Sequence, residues 1–384
     1  MSKIIDQYIQ QNEFLKAIEQ CIIENQYNLG FLIAKICQDD INDPKFYEIM
    51  HKLHNLLGKN TPKQIVKRNS REDIPKLLIT PPSPIINLNQ SAHRGVLCTK
   101  RVILYCNWCD SKQLCDTWNK MSKGNYTWNS VQIVWEEPYD FIVIINCAPI
   151  TIFPNMSKTI YFQMEPHMAK NPQIWGDWAN PPPHIFKFCG THANTFNNNE
   201  WHISKTYDEL LSEKIIKDEY LGKVLSTVLS DKYCDPGHIK RIDFVKFLEN
   251  KGLNIHVYGG NKFEWKNYKG MLPYHCKDDA LFPYKYSFNA ENHEIRNYFT
   301  EKFIDCILSE CLMFYWGCPN IRDYFDEKAC VILSLEDFEK DYNIIIKAIS
   351  ENWWEQRLPY IKQAKEKILN EMQFFPRIER ILSQ

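Results

Sequence analysis

Between Tyr284 and Pro319 the chain reads YKYSFNAENHEIRNYFTEKFIDCILSECLMFYWGCP. Three groups in it have types and spacing suited to chemistry. These are Glu291-Asn292, then Tyr298-Phe299-Thr300-Glu301-Lys302, then an apolar run ending in Trp316-Gly317-Cys318-Pro319. A core segment has no use for that order of charges. Thr300 reads as the N-cap of a helix, so Lys302 falls in a first turn, where backbone N–H groups also point at anions. A compact cation there suits the negative charge that grows on a diphosphate leaving group. Glu301 repels phosphate and is left with sugar hydroxyls as partners, a ribose above all. Tyr298 adds a hydroxyl and an aromatic face. Together they imply a grip on a sugar nucleotide; the plain alternative for Glu301 and Lys302 is a solvated helix face.

Such side chains need strand ends and helix starts to hold them. Arg101–Cys106, Tyr139–Asn146 and Lys158–Met164 are short β-branched apolar runs, the pattern of buried parallel strands, and Ile185–Cys189 is one more candidate. A second block repeats the texture. Strands are expected at Lys223–Leu229, Asn254–Tyr258, Tyr284–Asn289, Cys311–Trp316 and Ala329–Leu333, and helices at Ile239–Asn250, Thr300–Ser309, Leu335–Ile349 and Trp353–Gln373. Alternating strands and helices in two blocks joined near residue 215 predict an α/β protein with two Rossmann-like domains facing a cleft, ligands lying at the carboxyl ends of the strands. Ahead of them, apolar positions from Ile4 to about Leu57 recur at helical spacing, and residues 59–97, with five prolines, read as a linker or strap.

The segment from Tyr284 to Phe325 resembles the donor-binding motif of the α-1,3-fucosyltransferases. The matching residues are Tyr284-Lys285-Tyr286, Glu291-Asn292, Tyr298 to Lys302, Tyr315-Trp316-Gly317 and Pro319. A looser resemblance runs from about residue 98 to 350. It implies an inverting, two-Rossmann glycosyltransferase of the GT-B type that moves fucose from GDP-fucose to a hydroxyl of a glycan or protein-linked sugar. It assigns Tyr286, Glu291, Asn292, Tyr298, Thr300, Glu301 and Lys302 to the donor. A second match, Ile239 to Phe244, implies that Arg241 contacts the donor phosphate, where a guanidinium can hold two oxygens at once; Lys240 is the competing assignment. The third, Tyr161-Phe162-Gln163-Met164-Glu165-Pro166, implies that Glu165 is the general base taking the acceptor hydroxyl proton. His167 stands where the family continues otherwise and is the rival base. The family's arginine is missing from Asn194 to Glu200, so the acceptor or sugar can differ. The implied division is 1–97, a helical extension and linker; 98–215, the acceptor-side domain; 216–350, the donor domain; and 351–384, C-terminal helices packing back across the domains. No metal or cofactor is expected, cationic side chains replacing the metal.

Composition bounds the alternatives. The 384 residues carry a net charge of −1, which gives no electrostatic case for a nucleic-acid partner. The 14 cysteines are scattered, as in a reduced intracellular protein. Cys106-Asn107-Trp108-Cys109, with Cys115 beyond it, lacks a second pair and reads as ordinary thiols. Lys277-Asp278-Asp279 reads as a solvated charge run. No signal peptide and no long uncharged apolar run is seen, so the expectation is a cytoplasmic protein without an integral membrane segment. The N-terminal helices are a candidate surface for a partner protein. Two further functional readings stay open: a transferase for another nucleotide sugar, and a catalytically silent sugar-nucleotide-binding scaffold.

Overall fold

The computed structural model describes residues 3–11, 13–24, 49, 99–149, 154–166, 178 and 180–384. The chain divides into Met1–Cys98 and Thr99–Gln384. In the first unit, helices α1 (Lys3–Gln10) and α2 (Phe14–Ile23) bury Ile5, Ala17, Ile18 and Cys21. Of the apolar pattern beyond residue 46 only Ile49 is described, and the linker at 59–97 and His167 lie outside the described residues.

The second unit holds two sheets of six strands each. The first contains β1 (Lys100–Tyr105), β2 (Thr127–Trp128), β3 (Val131–Val134), β4 (Phe141–Ile145), β5 (Thr159–Phe162) and β6 (Phe188–Gly190), in the order β2-β3-β1-β4-β5-β6. Only β2 runs antiparallel. The helix α3 (Ser111–Trp118) follows β1, capped by Asp110, whose side chain accepts from Gln113 N at 2.8 Å. A short helix, α4 (Tyr207–Ser212), carries the chain onward through a capping box of Thr206 and Glu209.

The second sheet contains β7 (Leu225–Leu229), β8 (Ile255–Gly259), β9 (Tyr268–Gly270), β10 (Tyr286–Ala290), β11 (Leu312–Trp316) and β12 (Cys330–Ile332). Its order is β12-β11-β10-β7-β8-β9, parallel throughout. Numbered within the half, that is the doubly wound 3-2-1-4-5-6 order read from the other edge. The strands are apolar because both faces are covered: α5 (Pro236–Asn250), α6 (Asp278–Leu281) and α7 (Glu301–Leu308) join them, and α8 (Phe338–Ser350) follows the last. The architecture is thus α/β, with two Rossmann-like halves. In each, the strand order reverses at one point, between β1 and β4 in the first sheet and between β7 and β10 in the second. At such points the loops leaving neighbouring strands part in opposite directions and open a crevice.

The C-terminal region differs from one long helix. After α9 (Trp353–Lys367) the chain makes a π-helical turn over Ile368–Met372, and Gln373, in extended backbone, caps a separate helix, α10 (Phe374–Ser383). This helix leaves the second half and packs on the first. Phe374 meets Trp118 with ring centroids 4.8 Å apart, and Lys100 bonds the carbonyl of Leu382. Buried Arg377 donates to the carbonyls of Phe196 and Asn198 and to Asn199 Oδ1, at 2.9–3.2 Å. An arginine does reach the Asn194–Glu200 stretch, arriving from the far end of the chain. Arg377→Leu leaves those three buried acceptors without a donor, so a loss of about 3 kcal/mol is expected in urea unfolding. An unchanged midpoint would mean that Arg377 does not tie the helix down.

Candidate active site

The second half contributes two helix starts. α5 begins after Asp235, and its Gly237 lies against the chain leaving β10: Gly237 N donates to Asn292 O at 2.9 Å, and a Cβ at 237 would stand 1.8 Å from the Glu291 carbonyl oxygen. One turn on, the Arg241 guanidinium enters the β7–β10 crevice. Nη1 donates to Ala290 O at 3.1 Å and Asn292 Oδ1 at 3.2 Å, and Nη2 to Ser230 Oγ at 3.2 Å. Arg241 is buried, and its Nε has no partner. Lys240, the competing residue, turns away to Glu336 and the Leu335 carbonyl.

α7 starts at Glu301, with Thr300 as its N-cap accepting from Lys302 N. The cap is itself anchored. Thr300 N and Oγ1 donate to the two oxygens of Glu291 at 2.8 and 2.7 Å. Glu291 is wholly buried, and burial raises its pKa; Lys302 and the Thr300 donors pull the other way. Lys302 Nζ sits 3.0 Å from Glu301 Oε1, 3.2 Å from Thr300 Oγ1 and 3.8 Å from Glu291 Oε2. Burial would also raise the pKa of Glu301, but the charges of Lys302, Lys277 and His202 reverse that and hold it well below the usual carboxylate range.

The first half contributes Glu165, in the turn after β5. Asn146, at the end of β4 with φ 63°, fixes this turn: its Oδ1 accepts from Met164 N and Glu165 N, both at 2.9 Å. Asparagine tolerates that left-handed conformation. Glu165 faces the second half, where Tyr298 Oη donates to its Oε2 at 3.3 Å. The Glu165 side chain is open to solvent, although protein atoms crowd around its carboxyl group. That crowding raises its pKa, and the nearby charge of Lys302 offsets part of the rise. Behind Tyr298, the buried His192 ring packs edge-on at 5.2 Å, and burial lowers its pKa to about 4.

The structure therefore brings Arg241, Asn292, Glu291, Thr300, Glu301, Lys302, Tyr298 and Glu165 into one chain of contacts. Tyr286 is not among them. It lies at the amino end of β10, the opposite end from Ala290, and donates to the Ala348 carbonyl in the last turn of α8. Its place is in the core. Lys277 joins the group against expectation. The Lys277-Asp278 pair is not a solvated run: Lys277 bonds Asp305 at 2.8 Å and approaches Glu301 at 3.5 Å, and Asp278 accepts from Ser204 N and Oγ. Asn146 and Ser230 have no signal in the sequence beyond their position after a strand. Cys106 and Cys109 lie with sulfurs 3.4 Å apart, and burial raises the Cys109 thiol to about 12.

No protein-family model matches this sequence, and no curated protein matches it. Several solved structures are similar to it. An α1,3-fucosyltransferase with GDP superposes with a TM-score of 0.44 at 15% identity, over 74% of this chain and 94% of that one. An α-glucosyltransferase in complex with UDP-glucose and DNA containing an abasic site gives 0.49 at 9% identity, over 74% and 100%. A mutant of S. aureus TarM, in complex with fondaparinux, α-GlcNAc-glycerol and UDP, gives 0.39 at 12%, over 63% and 54%. Likeness this distant fixes neither a donor nor an acceptor.

Glu291→Ala strands two buried donors of Thr300 and unlocks the start of α7. An unfolding free energy lower by about 3 kcal/mol is expected, with Glu291→Gln keeping much of the difference. Equal stabilities for Glu291→Ala and wild type, measured in urea, would refute the anchoring role.

Proposed function

We propose that the protein is an inverting glycosyltransferase whose donor is a nucleoside diphosphate sugar, GDP-fucose being favoured by the sequence resemblance. One observation carries the reading: a carboxylate from the first half, Glu165, faces Tyr298 and Lys302 from the second, and Arg241 occupies the crevice of the same sheet. That arrangement suits direct displacement. The donor diphosphate would lie between Lys302 and Arg241, whose unpartnered Nε leaves an N–H for an anion. Glu301 would take ribose hydroxyls. Glu165 would remove the proton of the acceptor hydroxyl as its oxygen attacks the anomeric carbon from the face opposite the diphosphate. The bond from the anomeric carbon to the phosphate oxygen breaks, and the charge left on the diphosphate falls to the two cations. No metal is required for that step in this reading. The residues 98–215 would carry the acceptor and 216–350 the donor. The acceptor is a glycan or a protein-linked sugar rather than a nucleic acid, in keeping with a net charge of −1. No helix among the described residues is long and apolar enough to cross a membrane, which accords with a cytoplasmic site of action.

Thermal shifts with GDP, UDP and their sugars test the donor, since a ligand that binds only the folded chain raises its stability by mass action. GDP-fucose should give the largest shift; a larger one with a UDP-sugar would move the assignment to that donor, and no shift with any would favour a silent scaffold. Lys302→Ala should weaken nucleotide binding about tenfold to a hundredfold by calorimetry. Glu165→Gln should keep donor binding and lose about a hundred- to ten-thousandfold in turnover. The pKa of Glu165 is raised by desolvation, so its basic form appears at higher pH than for an ordinary glutamate. The acid limb of kcat/KM should sit there and vanish in Glu165→Gln; an unmoved limb would place the base elsewhere.

A further inference from the structure

A second cluster of side chains, unused by the proposed transfer, joins the two halves. Glu200 and His202 come from the segment between β6 and α4, and His275 from the loop between β9 and α6. Glu200 Oε1 lies 3.0 Å from His202 Nε2, and the other Glu200 oxygen accepts from Trp118 Nε1 at 2.8 Å. The rings of His202 and His275 face each other with centroids 3.9 Å apart and planes 30° apart. One donor atom from each of the three residues lies within 4.8 Å of the other two. The backbones that present them are laced together. Lys277 N donates to His202 O at 2.9 Å, and His202 N to Asp305 Oδ1 at 2.7 Å.

We propose that Glu200, His202 and His275 are the ligands of one divalent cation of the zinc class, which clasps the segment after the first sheet to a loop of the second. Two imidazoles and a carboxylate are a borderline donor set that suits zinc and leaves a fourth position for water. Donors around a tetrahedral zinc stand about 3.3 Å apart, given metal–ligand distances near 2.0 Å. To reach it, the donors, now within 4.8 Å of one another, have to draw together, and the two rings, now 30° from parallel, have to turn until both lone pairs meet the ion. The indole N–H of Trp118 on the free carboxylate oxygen is the kind of outer partner that orients a ligating carboxylate. An ion pair between Glu200 and His202 accounts for those two residues only. It leaves two facts about His275 unexplained: a non-glycine backbone at φ 53°, and a buried Nδ1 without a hydrogen-bond partner. Both follow if the ring is held in place to complete a coordination shell. The other candidate cluster, Cys234, Asp235 and His238, is weaker, because His238 Nδ1 already accepts from Asp235 N at 3.3 Å.

The test is cation binding by the full chain, stripped with chelator and kept reduced. Calorimetry with Zn²⁺ and optical titration with Co²⁺ should each give one site per chain, the cobalt bands lacking a thiolate charge-transfer transition. His275→Asn removes the imidazole while keeping a residue that accepts the left-handed backbone, and it should weaken binding about a hundredfold. His202→Gln should act in the same way, whereas Cys234→Ser should bind as wild type does. Zinc should raise the melting temperature of wild type but not of His275→Asn. A wild-type chain that binds no cation, a thiolate charge-transfer band, or unchanged affinity in His275→Asn would each overturn the proposal. None of these readouts depends on sugar transfer, so the two readings fail separately.

Discussion

The buried carboxylate of Glu291 is the constraint on which the second half of the cleft depends. It stands just past the end of β10, wholly removed from solvent, with its N–H donating to Trp316 O across to β11. Its side chain holds Thr300, and so the first turn of α7. Its backbone carbonyl lies where a side chain on Gly237 would stand, so α5 begins against it. A Cβ on Gly317, whose φ is 154°, would fall 2.4 Å from Glu291 Cγ. Two helix starts and two strand ends therefore converge on one residue. An uncompensated buried carboxylate is costly, and here two hydrogen bonds and a cation at 3.8 Å offset that cost. Precision at Lys302 and Arg241 is inherited from this packing, because both side chains stem from the helices it positions.

The sequence order of charges in 291–302 follows from this geometry. Glu291 must precede the helix that it anchors, and Thr300 must stand at the cap to be held. Glu301 and Lys302 are then neighbours in the chain and in space, and their mutual attraction keeps the lysine at the helix start. The fold's strand runs were legible for a related reason: Arg101–Cys106 and Lys158–Met164 are apolar at successive positions because parallel strands are covered on both faces. Shorter pieces gave no such run. The strand at Val131–Val134 spans four residues beside a two-residue hairpin partner, too short for a pattern to emerge. The helix expected from Trp353 does end at Gln373, the extended residue that caps the separate helix Phe374–Ser383, and Pro376 stands in the first turn of that helix.

The site was legible where its residues lie close in sequence and obscure where the fold assembles them. Glu301 and Lys302 declare themselves by adjacency. Lys277 reads as a surface lysine until the α6 loop is seen against Asp305 and Glu301. Glu200, His202 and His275 are separated by most of the second sheet's first strands, and no spacing rule links them. Tyr286 shows the reverse failure. It sits inside a well-formed motif, but it lies at the amino end of a five-residue strand, away from the cleft, and its hydroxyl bonds the Ala348 carbonyl of α8. A motif therefore contains both the residues at the cleft end of a strand and those that seat its other end.

A ligand that brings negative charge close to Glu165 meets cations that the protein has already paired. Arg241, Lys277 and Lys302 are already matched inside the protein by Glu291, Glu301 and Asp305, so the cations are held in place before any ligand arrives. Burial lowers the pKa of Arg241, with the neighbouring carboxylates opposing the shift. An incoming diphosphate would draw on the fields of Lys302 and Arg241, and the Glu165 carboxylate would lose part of the stabilisation that Lys302 gives it. Its basicity then rises at the moment when the acceptor proton has to be taken. A general base works best when its pKa approaches the ambient pH. In the proposed reaction the same lysine would couple the two halves: unoccupied it holds down the basicity of Glu165, and with phosphate bound it would release it.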